Sequence, residues 1–166
     1  MSAGTILLAE DDPNDVILFQ RAMDRASLSA GSLKVVRDGE EAISYLCGKG
    51  IYADRQLYPL PALLLLDVKM PRKSGLEVLL WLRKQAQLRC LVVVFMTSSN
   101  SSEDVRLAYE AGANSYLVKP VEFTEMVKMI KNVSFYWLEM NQKLPPGRLL
   151  SSAYGRDAFG NSENAS

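Results

Sequence analysis

The sequence predicts a doubly wound α/β domain: a five-stranded parallel sheet with helices on both faces. Three observations carry the prediction. Short apolar runs alternate with segments of helical periodicity, five times along the chain. The central runs, Ala62–Leu66 (ALLLL) and Leu91–Met96 (LVVVFM), are apolar at every position, as strands covered on both faces must be. Right-handed crossovers between such strands then place helices on either side of the sheet.

Each element follows in order. Thr5–Ala9 is a short apolar strand. Asp12-Pro13 supplies an N-cap and a proline at the first helical position, and Val16, Phe19, Met23 and Ala26 recur at helical spacing. Leu33–Val36 is the second strand, and Asp38-Gly39 opens a helix bearing Ala42, Ile43 and Leu46. Gly48–Pro61, with its glycines, prolines and tyrosines, reads as a long surface loop before the third strand, Ala62–Leu66. Leu76, Leu79, Leu80 and Arg83 begin the third helix. Leu91–Met96 is the fourth strand, rich in β-branched residues. Ser101 or Ser102 caps the next helix, which Gly112 stops, and Ser115–Val118 is the last strand. Phe123, Met126, Val127, Ile130 and Val133 mark a long final helix that continues through Trp137.

This organisation gives one domain over residues 1–143, with its core at 5–131 and the last helix extended to about 142. Residues 144–166 form a Pro/Gly/Ser-rich tail expected to be flexible. No second folded domain is expected after it.

Composition narrows the chemistry. Of 166 residues, 48% are apolar and 23% charged, enough for a core without metal or disulfide staples. Lys plus Arg equals Asp plus Glu at 19 each, which removes a chain-wide electrostatic case for nucleic acid or an acidic membrane. No apolar run is long enough to span a bilayer. There is no histidine, so His-ligated zinc, a Ser-His-Asp triad and a phosphohistidine on this chain are excluded. Cys47 and Cys90 form no CxxC and are expected as free thiols in a reducing cytoplasm.

The polar residues sit at strand ends. Glu10, Asp11 and Asp12 follow the first strand and Asp67 the third; Thr97 and Ser98 follow the fourth, and Lys119 ends the fifth. In a parallel sheet these positions share the carboxyl rim, where ligands bind. Carboxylates gathered there repel, by roughly 3 kcal/mol for a pair ~5 Å apart at an effective dielectric near 20. They call for a counter-charge, and an all-oxygen donor set suits Mg²⁺. The set fits phosphoryl transfer, with Asp67 as nucleophile and the metal, Lys119 and the Thr97 hydroxyl neutralising phosphoryl oxygens.

These stretches resemble the receiver domains of two-component response regulators. The matching residues are Ile6-Leu-Leu-Ala-Glu-Asp11, Leu65-Leu-Asp67-Val-Lys-Met-Pro71 with Gly75, Phe95-Met-Thr97-Ser98, and Ala111-Gly-Ala-Asn-Ser-Tyr-Leu-Val-Lys-Pro120. The resemblance implies a flavodoxin-like sheet of order 2-1-3-4-5. It implies Asp67 as phosphoacceptor, and Glu10, Asp11, Asp67 and the Lys69 backbone carbonyl around Mg²⁺ (or Mn²⁺). Lys119 would neutralise charge, with Lys119-Pro120 cis, and Thr97 and Tyr116 would form a switch pair. The donor would be the phosphohistidine of a sensor histidine kinase. Such a chain is a cytoplasmic signalling protein that catalyses only its own phosphorylation and dephosphorylation. Its output is a protein target or a histidine phosphotransfer domain, with no nucleic acid and no membrane. The long Gly48–Pro61 loop and the Phe135–Gln142 extension resemble the stand-alone subgroup that includes the cyanobacterial phytochrome response regulators, which implies a phytochrome-like kinase and a homodimer. Lys69 and Ser99, each two residues beyond a site residue, are expected to alter the dephosphorylation rate. Other readings stay open: a phosphorelay intermediate or phosphate sink, a pseudo-receiver that binds partners without phosphate, and a haloacid-dehalogenase-type phosphohydrolase. The last wants an acid two residues after its nucleophile, where this chain has Lys69.

Overall fold

A computed structural model describes residues 4–29 and 32–144. From residue 145 onward, the expected flexible tail lies outside the described residues. Five parallel strands, β1 (Ile6–Ala9), β2 (Leu33–Val36), β3 (Leu63–Leu66), β4 (Val92–Thr97) and β5 (Ser115–Val118), line up in the order β2-β1-β3-β4-β5. Between and after them run α1 (Pro13–Arg25), α2 (Gly39–Cys47), α3 (Gly75–Arg83), α4 (Ser102–Glu110) and α5 (Phe123–Ser134). The predicted fold is the observed one.

Side chains alternate across each strand, so an all-apolar strand feeds two cores. Leu7, Ala9, Leu64, Leu66, Val93 and Phe95 face one side, with Ala42 and Leu46 of α2 and Val78 and Leu82 of α3. Ile6, Leu8, Leu63, Leu65, Val94 and Met96 face the other, with Phe19 of α1 and Ile130 of α5. This is why ILLA and LLLL carry no polar alternation.

The helix starts follow their caps. The Asp12 carboxylate accepts from the Asn14 N–H at 2.8 Å, and Pro13 occupies the first turn. The Asp38 carboxylate accepts from the Glu41 N–H at 2.8 Å. Ser74 and Glu77 form a reciprocal capping box on α3. Gly112, at φ 97°, takes the left-handed turn after α4 that an L side chain resists.

Four expectations change. Gly48–Pro61 is not merely a surface loop: Gly50–Ala53 forms a 3₁₀ turn, and Tyr52 is buried among Tyr45 and Tyr58. Ser101 stands at the N-cap of α4 but makes no side-chain cap bond, while the nearby Ser99 hydroxyl donates to the Asp104 carboxylate at 2.5 Å. The last helix widens to π geometry over Phe135–Met140. Lys119–Pro120 is trans, the isomer favoured by about 0.5–1 kcal/mol when nothing opposes it. Cys47 and Cys90 are free and exposed. Among the described residues no helix is long and apolar enough to cross a membrane.

Candidate functional site

The sheet ladder itself delivers the polar residues to one rim. Ala9 pairs with Leu66, so the next residues, Glu10 and Asp67, emerge side by side. Backbone bonds hold them there: Glu10 N–H to the Val36 carbonyl at 3.0 Å, and Asp67 N–H to the Ala9 carbonyl at 3.1 Å. On the far side, Thr97 pairs with Val118, and the Lys119 N–H bonds the Thr97 carbonyl at 2.8 Å. Glu10, Asp67 and Lys119 thus stand one step beyond an apolar strand and Thr97 at the last residue of one, at the point where the core ends and water begins.

Gly75 shapes the floor. A Cβ at this position would collide with the Asp67 carbonyl oxygen and the Phe95 ring. Only glycine lets α3 start this close to the backbone of Asp67, with the Gly75 N–H bonded to the Val68 carbonyl at 2.9 Å.

The result is a cleft of about 480 Å³ lined by Glu10, Asp11, Asp12, Asp15, Asp67, Lys69, Thr97, Ser98–Ser101 and Lys119. The sequence-derived set is therefore together, with Tyr116 behind it. Carboxylate oxygens of Glu10, Asp11 and Asp67 lie within 4.8 Å of one another. One ammonium answers two of them, and Asp15 besides. Lys119 Nζ donates to Glu10 Oε2 at 2.5 Å, to Asp15 Oδ2 at 2.7 Å and to Asp67 Oδ2 at 3.3 Å.

Burial sets the electrostatics. Glu10 is 2% exposed, and desolvation raises its pKa above the ordinary carboxylate value despite the opposing bond from Lys119. Burial also works to lower the pKa of Lys119. The hydrogen bonds to Asp15 and Glu10, and the charges of Asp67 and Glu10, outweigh it and hold that pKa above the usual lysine range. Lys119 is firmly cationic here.

The remaining residues form the wall. The Lys69 N–H points at Asp67 Oδ1 at a weak 3.4 Å. Thr97 is the last residue of β4 and is buried, its Oγ1 accepting from the Ser99 N–H at 3.3 Å. Tyr116, on the neighbouring strand, donates its hydroxyl to the Ser99 carbonyl at 3.0 Å, and burial raises its pKa. Thr97 and Tyr116 therefore meet at one residue, Ser99, in the β4–α4 connection.

Asp15 is a cleft residue that strand-end reasoning misses. It lies on α1, not at a strand end. The sequence shows it only as an acidic residue in the first turn of α1, where a carboxylate suits the helix N-terminus.

An acidic cleft with one buried lysine at the carboxyl end of a 2-1-3-4-5 sheet is the arrangement expected of a receiver domain. The response regulator receiver domain family matches residues 6–131, and the chain belongs to that family. Two curated relatives cover most of it. The probable methanogenesis regulatory protein FilR2 of Methanothrix harundinacea is 35% identical over 144 residues, covering 85% of this chain and 88% of FilR2. Response regulator Rcp1 of Synechocystis sp. is 34% identical over 134 residues, covering 81% and 88%. The solved Mn²⁺-bound form of Rcp1 is similar with a TM-score of 0.74 at 33% identity, covering 86% of this chain and 99% of that one. The phosphorylated cyanobacterial phytochrome response regulator RcpA is similar with a TM-score of 0.76 at 30% identity, again covering 86% and 99%. The resemblance to the phytochrome response regulators is borne out.

Proposed function

We propose that this protein is a signalling receiver that accepts a phosphoryl group on Asp67 from the phosphohistidine of a sensor histidine kinase, a phytochrome-like one by analogy with its relatives. The observation that carries the reading is the charge imbalance of the cleft. Five carboxylates, Glu10, Asp11, Asp12, Asp15 and Asp67, line it against two lysines, Lys69 and Lys119, and Asp67 lies on the floor with one oxygen only loosely held by Lys119.

The donor set fits a hard divalent cation: Glu10, Asp11 and Asp67 would hold it, joined by the Lys69 carbonyl. Mg²⁺ or Mn²⁺, when bound, supplies the positive charge that offsets phosphoryl oxygens. The chain's own residues do the rest. An Asp67 carboxylate oxygen forms the new O–P bond as the N–P bond of the phosphohistidine breaks. The imidazole leaves with the bonding pair. Lys119 donates to a phosphoryl oxygen, exchanging its long contact with Asp67 for a charge-assisted one. The Thr97 hydroxyl turns to a second phosphoryl oxygen, giving up its bond from Ser99. Tyr116 and the Ser99 carbonyl then rearrange, which biases the surface of α4, β5 and α5 towards a protein target. Residues 1–143 act as the receiver unit, in the cytoplasm, with residues 144–166 as an appended tail.

Intact-mass measurement after incubation with acetyl phosphate and Mg²⁺ tests this. The expected result is a gain of one phosphoryl group, about 80 Da, absent in Asp67→Asn and in the presence of chelator. A wild-type chain that gains no mass and binds no beryllofluoride contradicts the proposal.

A further inference from the structure

We infer that Asp15 is a positioning residue for Lys119: it holds the ammonium off Asp67, so that the acceptor carboxylate stays open to an incoming phosphoryl group. The consequence for phosphoryl transfer rests on the acceptor role proposed for Asp67. The hold itself rests on geometry alone.

An ammonium has three N–H donors. Here they face three carboxylates, and the two short contacts, 2.5 Å and 2.7 Å, go to Glu10 and Asp15. The acceptor receives the long one, 3.3 Å. Glu10 is fixed from both sides, since its other oxygen accepts the Asp12 N–H at 3.1 Å. Asp15 differs from Glu10 in three respects. It comes from a helix rather than a strand end, it stands outside the carboxylate trio that converges within 4.8 Å, and its carboxylate is about one-third exposed. Among the described residues its only hydrogen-bond partner is Lys119. The start of α1 is set by the Asp12 cap and Pro13, and Val16 and Phe19 bury the face beside it. Asp15 is thereby carried on a rigid element to the mouth of the cleft.

Without that carboxylate the ammonium is left with Glu10 and Asp67. Attraction then draws it onto the oxygen that must attack phosphorus, and a hydrogen-bonded carboxylate oxygen is a poorer nucleophile. Asp12 provides the control. It lines the same cleft and carries the same charge, but its carboxylate caps the Asn14 N–H and does not touch Lys119. Asp12→Asn keeps a capping oxygen, so it removes charge without removing the hold.

Two measurements on the full chain test the inference. The first is NMR detection of the Lys119 ammonium in metal-free protein. Its proton exchange should quicken by about tenfold in Asp15→Asn and by less than about twofold in Asp12→Asn, since only the first loses a charge-assisted bond. The second is the rate of phosphorylation by acetyl phosphate at saturating Mg²⁺. Asp15→Asn should be slower by roughly three- to tenfold, with Asp15→Glu recovering to within about twofold of wild type, a loss typical of a slightly misplaced group. Equal behaviour of Asp15→Asn and Asp12→Asn in both measurements overturns the inference and leaves the acceptor reading standing. Faster exchange with an unchanged rate overturns the positioning role. A wild-type chain that takes up no phosphoryl group overturns the acceptor reading, and with it the catalytic half of the inference.

Discussion

The tyrosine cluster of Gly48–Pro61 and the carboxylate cluster at the strand ends both bury polar atoms, and they satisfy them differently. In the tyrosine cluster donors and acceptors match. Tyr45 donates to the Pro59 carbonyl at 2.9 Å, and Tyr52 donates to Glu41 at 2.5 Å. Arg55 ties the turn down through the Tyr45 and Leu46 carbonyls, both at 2.8 Å. The rings of Tyr45, Tyr52 and Tyr58 pack with centroids 5.0–6.0 Å apart. In the cleft, five carboxylates face two lysines, and among the described residues only Lys119 pairs with them, leaving a surplus of negative charge. A matched cluster staples the fold. An unmatched one, held in place by the sheet ladder, asks for a ligand.

The sharpest way to break this contrast is to remove the buried cation from the cleft. Lys119→Met leaves Glu10, 2% exposed, as a buried charge without its partner. It should cost about 3–5 kcal/mol in urea unfolding at neutral pH. The sign with pH follows from the raised pKa of Glu10. A carboxyl whose folded pKa lies above its unfolded one favours the folded state when protonated, so the deficit should shrink as pH falls through that raised value. A cost below about 1 kcal/mol would mean that Glu10 is not held as a charge.

A divalent cation should then have an effect of intermediate size, confined to the cleft. At Mg²⁺ ten times its dissociation constant the wild type should gain about 1.4 kcal/mol, reversed by chelator. Asp11→Asn should lose most of this response, and Tyr52→Phe should keep it. Equal responses in both variants would place the cation elsewhere.

Tyr52→Phe removes one matched bond and should cost about 1 kcal/mol with no change in phosphoryl uptake. Burial first, and then Glu41, raise the pKa of Tyr52 above its usual value. Its neutral form therefore stabilises the fold below about pH 10, and that contribution is lost as pH rises beyond it. Thermal melts in this alkaline window should fall less steeply for Tyr52→Phe than for wild type. The smallest effect has the opposite sign. Asp11→Asn, relieving repulsion at an exposed position, should stabilise the metal-free protein by about 0.5 kcal/mol.

The same contrast explains what could be read from the sequence. The strands were legible because ILLA, LLLL and VVVFM are apolar on both faces, and a parallel sheet sends Glu10, Asp67, Thr97 and Lys119 to one rim. That step needs only topology. Asp15 was not legible as a site residue, because its partner is 104 positions away and the pairing exists only once α1 and β5 are in place. Tyr52 was hidden for a related reason. Glycine and proline mark Gly48–Pro61 as irregular, but nothing local says that three rings will close on one another. The trans Lys119–Pro120 bond and the π geometry after Ser134 depend on packing that a single chain read in order does not display.

The central claim is that surplus carboxylate at the strand ends makes Asp67 a cation-dependent phosphoryl acceptor. Borohydride reduction after treatment with acetyl phosphate and Mg²⁺, followed by peptide mass mapping, tests it most directly. An aspartyl phosphate is reduced to homoserine, so the account predicts homoserine at position 67 and nowhere else, lost when the cation is chelated. Homoserine at Asp11, Asp12 or Asp15, or modification that persists without the cation, would contradict it.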